Sequence, residues 1–83
     1  MAQGARSADE YTAAVADELR AARIEQGMTQ MQLAETSGIP RSTISKILAG
    51  GQPIDLSELR AICTALGLSA VQVMQSAERR LGL

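Results

Sequence analysis

Apolar side chains recur at three- and four-residue intervals along most of the chain, and no segment alternates between apolar and polar residues. The first spacing places side chains on one face of an α-helix, whereas alternation is typical of a β-strand. The pattern therefore predicts an all-α protein. Capping residues and glycines divide it into five helices that form a single domain over residues 7–83, preceded by a small, polar and flexible N-terminal segment, residues 1–6.

The boundaries of the five helices are predicted from residue types that favour helix ends. Three capping boxes are present, in which a side chain at the N-cap and a Glu or Gln three residues later bond each other's backbone N–H: Ser7 with Glu10, Thr29 with Gln32, and Asp55 with Glu58. Ser69 caps the last helix, and glycines end the first four. The predicted helices span residues 7–26, 29–37, 40–49, 55–66 and 69–81.

Two of these helices are short and are separated only by the turn Gly38-Ile39-Pro40. Two short helices joined by such a turn, with polar residues facing outward on the second, fit the major groove of DNA. On the third helix, Ile44, Ile47 and Leu48 have the spacing of a core-facing stripe. Arg41 lies in the first turn, and the outward face carries Ser42, Ser45, Lys46 and Ala49.

The composition argues against an enzyme. The chain has no His and a single Cys, which excludes imidazole metal sites, His-based acid–base catalysis and an intramolecular disulfide. Cys63 lies on the inner face of the fourth helix with no base to activate it, so we expect a reduced core thiol. We expect no catalytic or metal-ligating residues, no cofactor and no small-molecule ligand.

Charge is distributed unevenly, although the net charge is only −1. The first 19 residues are acidic, whereas residues 20–50 carry four cations against two carboxylates. The basic surplus coincides with the two short helices, but it is small, so we expect limited non-specific affinity for DNA. The chain also lacks an apolar run long enough to span a membrane and an apolar signal region, and we expect a cytoplasmic protein of a bacterium or a phage-infected host.

Residues 29–47, with the sequence TQMQLAETSGIPRSTISKI, resemble the helix-turn-helix of the phage Cro and lambda-repressor family, also called the XRE family. Residues 19–23 resemble the first helix of that family, and residues 56–69 resemble its last two helices. The resemblance implies a compact five-helix lambda-repressor-like domain. It also implies a transcriptional regulator that binds specific double-stranded DNA, such as a Cro-like or immunity-type repressor.

The resemblance implies a base-reading set on the third helix. Arg41, Ser42 and Lys46 match positions that contact base edges, and Ser45 matches one that reaches a base or a phosphate. An Arg or Lys paired with guanine O6 and N7 contributes roughly 1–3 kcal/mol of discrimination against a wrong base.

The resemblance also implies phosphate contacts on both sides of that set. Gln30 would bond a phosphate and brace the recognition helix, and Thr43 would bond the backbone at the groove wall. Family members often carry Lys or Arg just after the glycine that ends the recognition helix, but this chain has Gly51 and Gln52, followed by the acidic Asp55. Gln52 and nearby backbone amides would then make this phosphate contact, and we expect moderate affinity for DNA.

Arg23 presents two alternatives. In some family members the matching arginine pairs with an acid on the recognition helix, whereas this chain has Leu48 at the acid's position. Arg23 would therefore contact a DNA phosphate or pair with a neighbouring carboxylate.

Two further expectations concern partners. Val71, Leu81 and Leu83 leave more apolar surface than one small core needs, which favours a homodimer packed through the C-terminal helix. Such a dimer would place two recognition helices roughly 34 Å apart on a palindromic operator. The acidic first helix and low net charge also support an alternative function, a protein-interaction module of the same fold, such as an antitoxin or an antirepressor partner.

Overall fold

The computed structural model describes the backbone of residues 2–83 and the side chains of residues 10–83. This part of the chain contains five α-helices and no strand, which confirms the predicted fold class. The helices are α1 (Ala2–Glu25), α2 (Gln30–Ser37), α3 (Arg41–Leu48), α4 (Leu56–Ala65) and α5 (Ala70–Arg80).

The predicted caps of the last four helices are mostly confirmed. Thr29 Oγ1 accepts from the Gln32 backbone N–H at 3.0 Å, and Gln32 Oε1 accepts from the Thr29 N–H at 2.8 Å. Asp55 and Glu58 form the same reciprocal pair before α4. Ser69 accepts from the N–H three residues on and caps α5. These bonds satisfy backbone N–H groups that a helix start otherwise leaves unpaired.

The predicted start of the first helix is wrong. The backbone is helical from Ala2, so Ser7 lies inside α1 instead of capping it, and the side chains of the proposed Ser7–Glu10 box lie partly outside the described residues. Most of the segment predicted to be flexible, residues 2–6, is part of α1. Alanine, glutamine and arginine favour helix interiors and no proline intervenes, so a local cap signal does not force the helix to begin there.

A single apolar core joins all five helices. Leu19 from α1 and Leu33 from α2 are fully buried in it, together with three residues of α3 and two of α4. Cys63 is one of these core residues, as predicted, and burial raises the pKa of its thiol. The core fixes α3 against α1 and α2, which determines the side of α3 that faces outward.

Polar contacts at the surface reinforce the packing of α5 on α1. The Tyr11 hydroxyl donates to Glu78 Oε2 at 2.6 Å, and this bond raises the pKa of Tyr11. Arg80 pairs with Glu18. Among the described residues, no single helix is long and apolar enough to cross a membrane; α4 and α5 reach that length and hydropathy only as a pair bent by 102°.

Candidate DNA-binding surface

A tight turn connects α2 to α3. Gly38 adopts a left-handed conformation with φ of 75°, and its N–H donates to the Ala34 carbonyl. Pro40 is the N-cap of α3, so the helix begins at Arg41, one residue later than predicted, and the Pro40 carbonyl accepts the N–H of Ile44 at 3.0 Å. Proline suits this position because an N-cap N–H has no helical partner to lose. The turn leaves α3 projecting as a separate short helix.

The two faces of α3 differ as the sequence predicts. Ile44, Ile47 and Leu48 are buried, with exposed fractions of 0%, 0% and 1%. Thr43 is partly buried, and the helix ends one residue before the predicted Ala49, which is its C-cap. The exposed face contains all four predicted base-contacting residues, namely Arg41, Ser42, Ser45 and Lys46.

These four side chains are free to bind an external partner. Within the part of the chain whose side chains are described, none of them forms an intramolecular hydrogen bond or ion pair. Two of them are cationic and two are hydroxyls, so the set can donate to phosphates and to base acceptors. α3 therefore has a buried apolar inner face and an exposed outer face whose hydrogen-bonding side chains have no partner among the described residues.

The predicted phosphate-contacting residues lie around this helix. Gln30 begins α2 and is partly exposed. Gln52 is partly exposed in the loop after α3, in a shallow cleft that also includes Thr12 and Gly51. Asp55, the acidic residue that follows this loop, accepts the Glu58 N–H with its carboxylate and thereby caps α4.

The loop after α3 is held closely against α1. Gly50 has φ of 74°, and a Cβ at this position would lie 3.6 Å from the Ala13 Cα. The left-handed backbone favours glycine here, whereas a Cβ would make only ordinary van der Waals contact with Ala13. The loop that carries Gln52 is therefore anchored at its first residue.

The side chain of Arg23 bonds a backbone carbonyl in this structure, not a carboxylate. Its Nη1 donates to the Met28 carbonyl at 2.7 Å, in the loop between α1 and α2. No carboxylate pairs with it among the described side chains, so the predicted ion pair with a neighbouring acid is wrong. Leu48, which stands where some family members carry an acid, is buried and offers no carboxylate to the guanidinium. The predicted phosphate contact of Arg23 stays a prediction.

Sequence reasoning missed Arg20. Its Nη1 donates to the Leu48 carbonyl at 2.5 Å, and its Nη2 pairs with Asp17. The Asp17–Arg20 pair has the i,i+3 spacing of neighbours on a helix, which a sequence scan could have noticed. The bond to Leu48 crosses from α1 to α3 and has no sequence signal.

Comparison with known proteins agrees with this geometry. A sequence profile described as helix-turn-helix matches residues 19–73, well over half of the chain. The chain therefore belongs to the helix-turn-helix family, in its Cro/C1-type (XRE) branch of DNA-binding transcription regulators. A search of curated protein sequences finds no match.

Solved structures of similar fold include two kinds of regulator. The clp gene regulator ClgR from Corynebacterium glutamicum is 28% identical, with a TM-score of 0.81 over 87% of this chain and 77% of that one. The restriction-modification controller protein C.AhdI from Aeromonas hydrophila is 26% identical, with a TM-score of 0.71 over 75% of this chain and 94% of that one. The controller protein C.Esp1396I, solved as a tetramer with its 35 base-pair operator, is 26% identical, with a TM-score of 0.78 over 88% of this chain and 96% of that one.

Proposed function

We propose that this protein is a transcriptional repressor, of Cro-like or immunity type, that reads a palindromic operator by inserting α3 into the major groove. The observation that carries the proposal is the exposed, unpaired face of α3 formed by Arg41, Ser42, Ser45 and Lys46. Its buried opposite face anchors the helix on the core, so these side chains face outward together toward base edges. A repressor bound at its operator would act by occluding RNA polymerase.

The surrounding groups would grip the DNA backbone. Gln30 at the start of α2 and Thr43 on the flank of α3 would bond phosphates on one side of the groove, and Gln52 would do so beyond the end of α3. Phosphate contacts set the register of a protein on duplex DNA, whereas base contacts give the sequence preference. Operator binding by C.Esp1396I, a protein of the same fold, supports this assignment.

Selection of bound sites from a pool of random duplexes tests the proposal. We expect the selected sequences to share a palindrome whose half-sites are one helical turn apart, because the repressor binds as a two-fold dimer. Affinity for that duplex should fall steeply with salt, with a slope of about −0.9 for each phosphate neutralised. A response that is flat in salt, or no enrichment of any sequence, would support the protein-interaction alternative instead.

The proposed dimer packs through α5. Val71 in the first turn of this helix is 64% exposed, and Ile24 at the end of α1 is 62% exposed. The chain end contributes less than the sequence suggested, because Leu81 packs partly buried against the core and only Leu83 is freely exposed. Burying Val71, and with it any exposed apolar side chain nearby, would favour a two-fold contact through α5.

Changing Val71 to Asp is expected to shift the protein to a monomer. A carboxylate at the centre of an apolar contact would lose solvation without gaining a partner. Sedimentation velocity at increasing concentration should show a dimer for the wild type and a monomer for Val71→Asp, with operator affinity reduced in parallel. Thr64→Asp is the matched control, since it adds the same charge at an exposed position of α4. A wild-type monomer at high micromolar concentration, both free and on DNA, excludes the dimer.

A further inference from the structure

The C-terminal end of α3 is completed by a side chain from another helix. Its last four carbonyls, those of residues 45–48, cannot be bonded within the helix. The first three accept backbone N–H groups of the following residues, at Ala49, Gly51 and Gly50 respectively. The Leu48 carbonyl instead accepts the Arg20 guanidinium at 2.5 Å. A cation at this end also interacts favourably with the partial negative charge of the helix C-terminus.

Asp17 of α1 orients the Arg20 side chain, and a chain of ion pairs continues from Asp17 to α5. Asp17 Oδ1 pairs with Arg20 Nη2, on the opposite arm of the guanidinium from the Leu48 contact. Asp17 Oδ2 lies 3.9 Å from Arg80 Nη1 on α5, and Arg80 also pairs with Glu18. The guanidinium therefore contacts a carboxylate and a helix end at the same time, one through each arm.

Resting on the proposed DNA-binding function, we propose that Arg20 is a positioning residue, oriented by Asp17, that sets the angle of the recognition helix and thereby its base discrimination. Hydrogen bonds to base edges depend steeply on distance and direction. Ser45 and Lys46 lie in the last turn of α3, next to the Arg20 contact, whereas Arg41 lies at the far end. Release of the C-terminal end should therefore displace Ser45 and Lys46 more than Arg41.

The contact affects orientation more than stability. The side chains of Arg20 and Asp17 are each 42% exposed, and ion pairs at such positions contribute little to the free energy of unfolding. The buried side chains of α3 keep the helix folded on the core when Arg20 is lost. A change in base discrimination at an unchanged melting temperature is thus the signature that separates positioning from a general structural role.

The test compares Arg20→Met with Arg20→Lys, Asp17→Asn and the control Arg60→Met. Arg60 is exposed on α4, and its substitution removes the same charge away from α3. Each variant is titrated with the selected operator, with its single-base variants and with a non-specific duplex over a range of salt concentrations. The carbon-13 resonance of the Leu48 carbonyl reports the contact directly, without DNA.

Arg20→Met is expected to lower the ratio of operator to non-specific affinity by about tenfold, the loss of one good base contact. The loss should be concentrated at base pairs read by Ser45 and Lys46, with non-specific affinity, salt slope and melting temperature close to those of Arg60→Met. Arg20→Lys should retain most of the discrimination, because an ammonium still donates to the carbonyl. Asp17→Asn should lose part of it, because the guanidinium is no longer held.

Several outcomes would overturn the positioning role. If Arg20→Met weakens all duplexes equally and reduces the salt slope by about 0.9, Arg20 is a phosphate contact. Discrimination equal to that of Arg60→Met shows that the contact does not orient α3. If the wild type binds no duplex, the proposed function fails, whereas an unchanged Leu48 carbonyl resonance in Arg20→Met independently shows that the contact itself is absent.

Discussion

Substitution of Arg41 by Ala is expected to reduce affinity for the selected operator by about 1–3 kcal/mol, or roughly five- to 150-fold. Arg41 is exposed at the first position of α3, the end that enters the groove, and no described side chain pairs with it. Its guanidinium can donate two parallel bonds to guanine, which Ala cannot replace. Titration against the operator and each single-base variant should show that preference disappears at one base pair and persists at the others.

Two matched variants isolate this effect. Gln30→Ala should weaken binding to all duplexes by a similar factor, because a phosphate contact carries no sequence information. Arg60→Ala removes one cation from α4 and should leave base preference unchanged. A uniform loss of affinity in Arg41→Ala, with base preference intact, would show that Arg41 contacts DNA phosphates. Base recognition would then depend on Ser42, Ser45 and Lys46.

Substitution of Ile47 by Ala is expected to lower the free energy of unfolding by about 2–5 kcal/mol. Ile47 is 0% exposed and joins α3 to the common core, so truncation removes buried contacts and leaves a cavity. A domain with a total stability of only about 5–15 kcal/mol would be close to unfolding after such a loss. Urea denaturation monitored by circular dichroism measures the change.

Ser45→Ala is the control for the stability experiment. Ser45 lies on the exposed face of the same helix, and surface substitutions usually change stability by no more than about 0.5 kcal/mol. Together the two variants separate the core face of α3 from its DNA-binding face. Equal stability of Ile47→Ala and the wild type would mean that α3 is not anchored as the structure shows.

The features that could be predicted from the sequence depend on residues close together in the chain. A capping box involves residues three apart, as in Thr29 with Gln32, and a helix end needs only one glycine in the left-handed conformation, as at Gly38. The i, i+3, i+4 spacing of Ile44, Ile47 and Leu48 defines the inner face of α3, and the outer face follows from it. The helix-turn-helix and its four base-reading candidates were therefore accessible without a structure.

The features that could not be predicted depend on which helices come together. The side of α1 that meets the end of α3 determines that Arg20 bonds the Leu48 carbonyl, although residues 20 and 48 share no local pattern. The same packing leaves Arg23 with the Met28 carbonyl instead of an acid. The start of α1 is a separate, local case, in which residues before Ser7 that favour a helix extend it past the cap signal.

The sequence by itself determined the five-helix class, the helix-turn-helix and the polar outer face of α3, because each follows from short-range periodicity and capping. Only the tertiary structure decided how firmly that face is held. The loop at Gly50 is pressed against α1, and the end of α3 is closed by Arg20 with Asp17 behind it. These contacts join segments far apart in the chain, and their geometry arises only when the apolar faces of all five helices share one core.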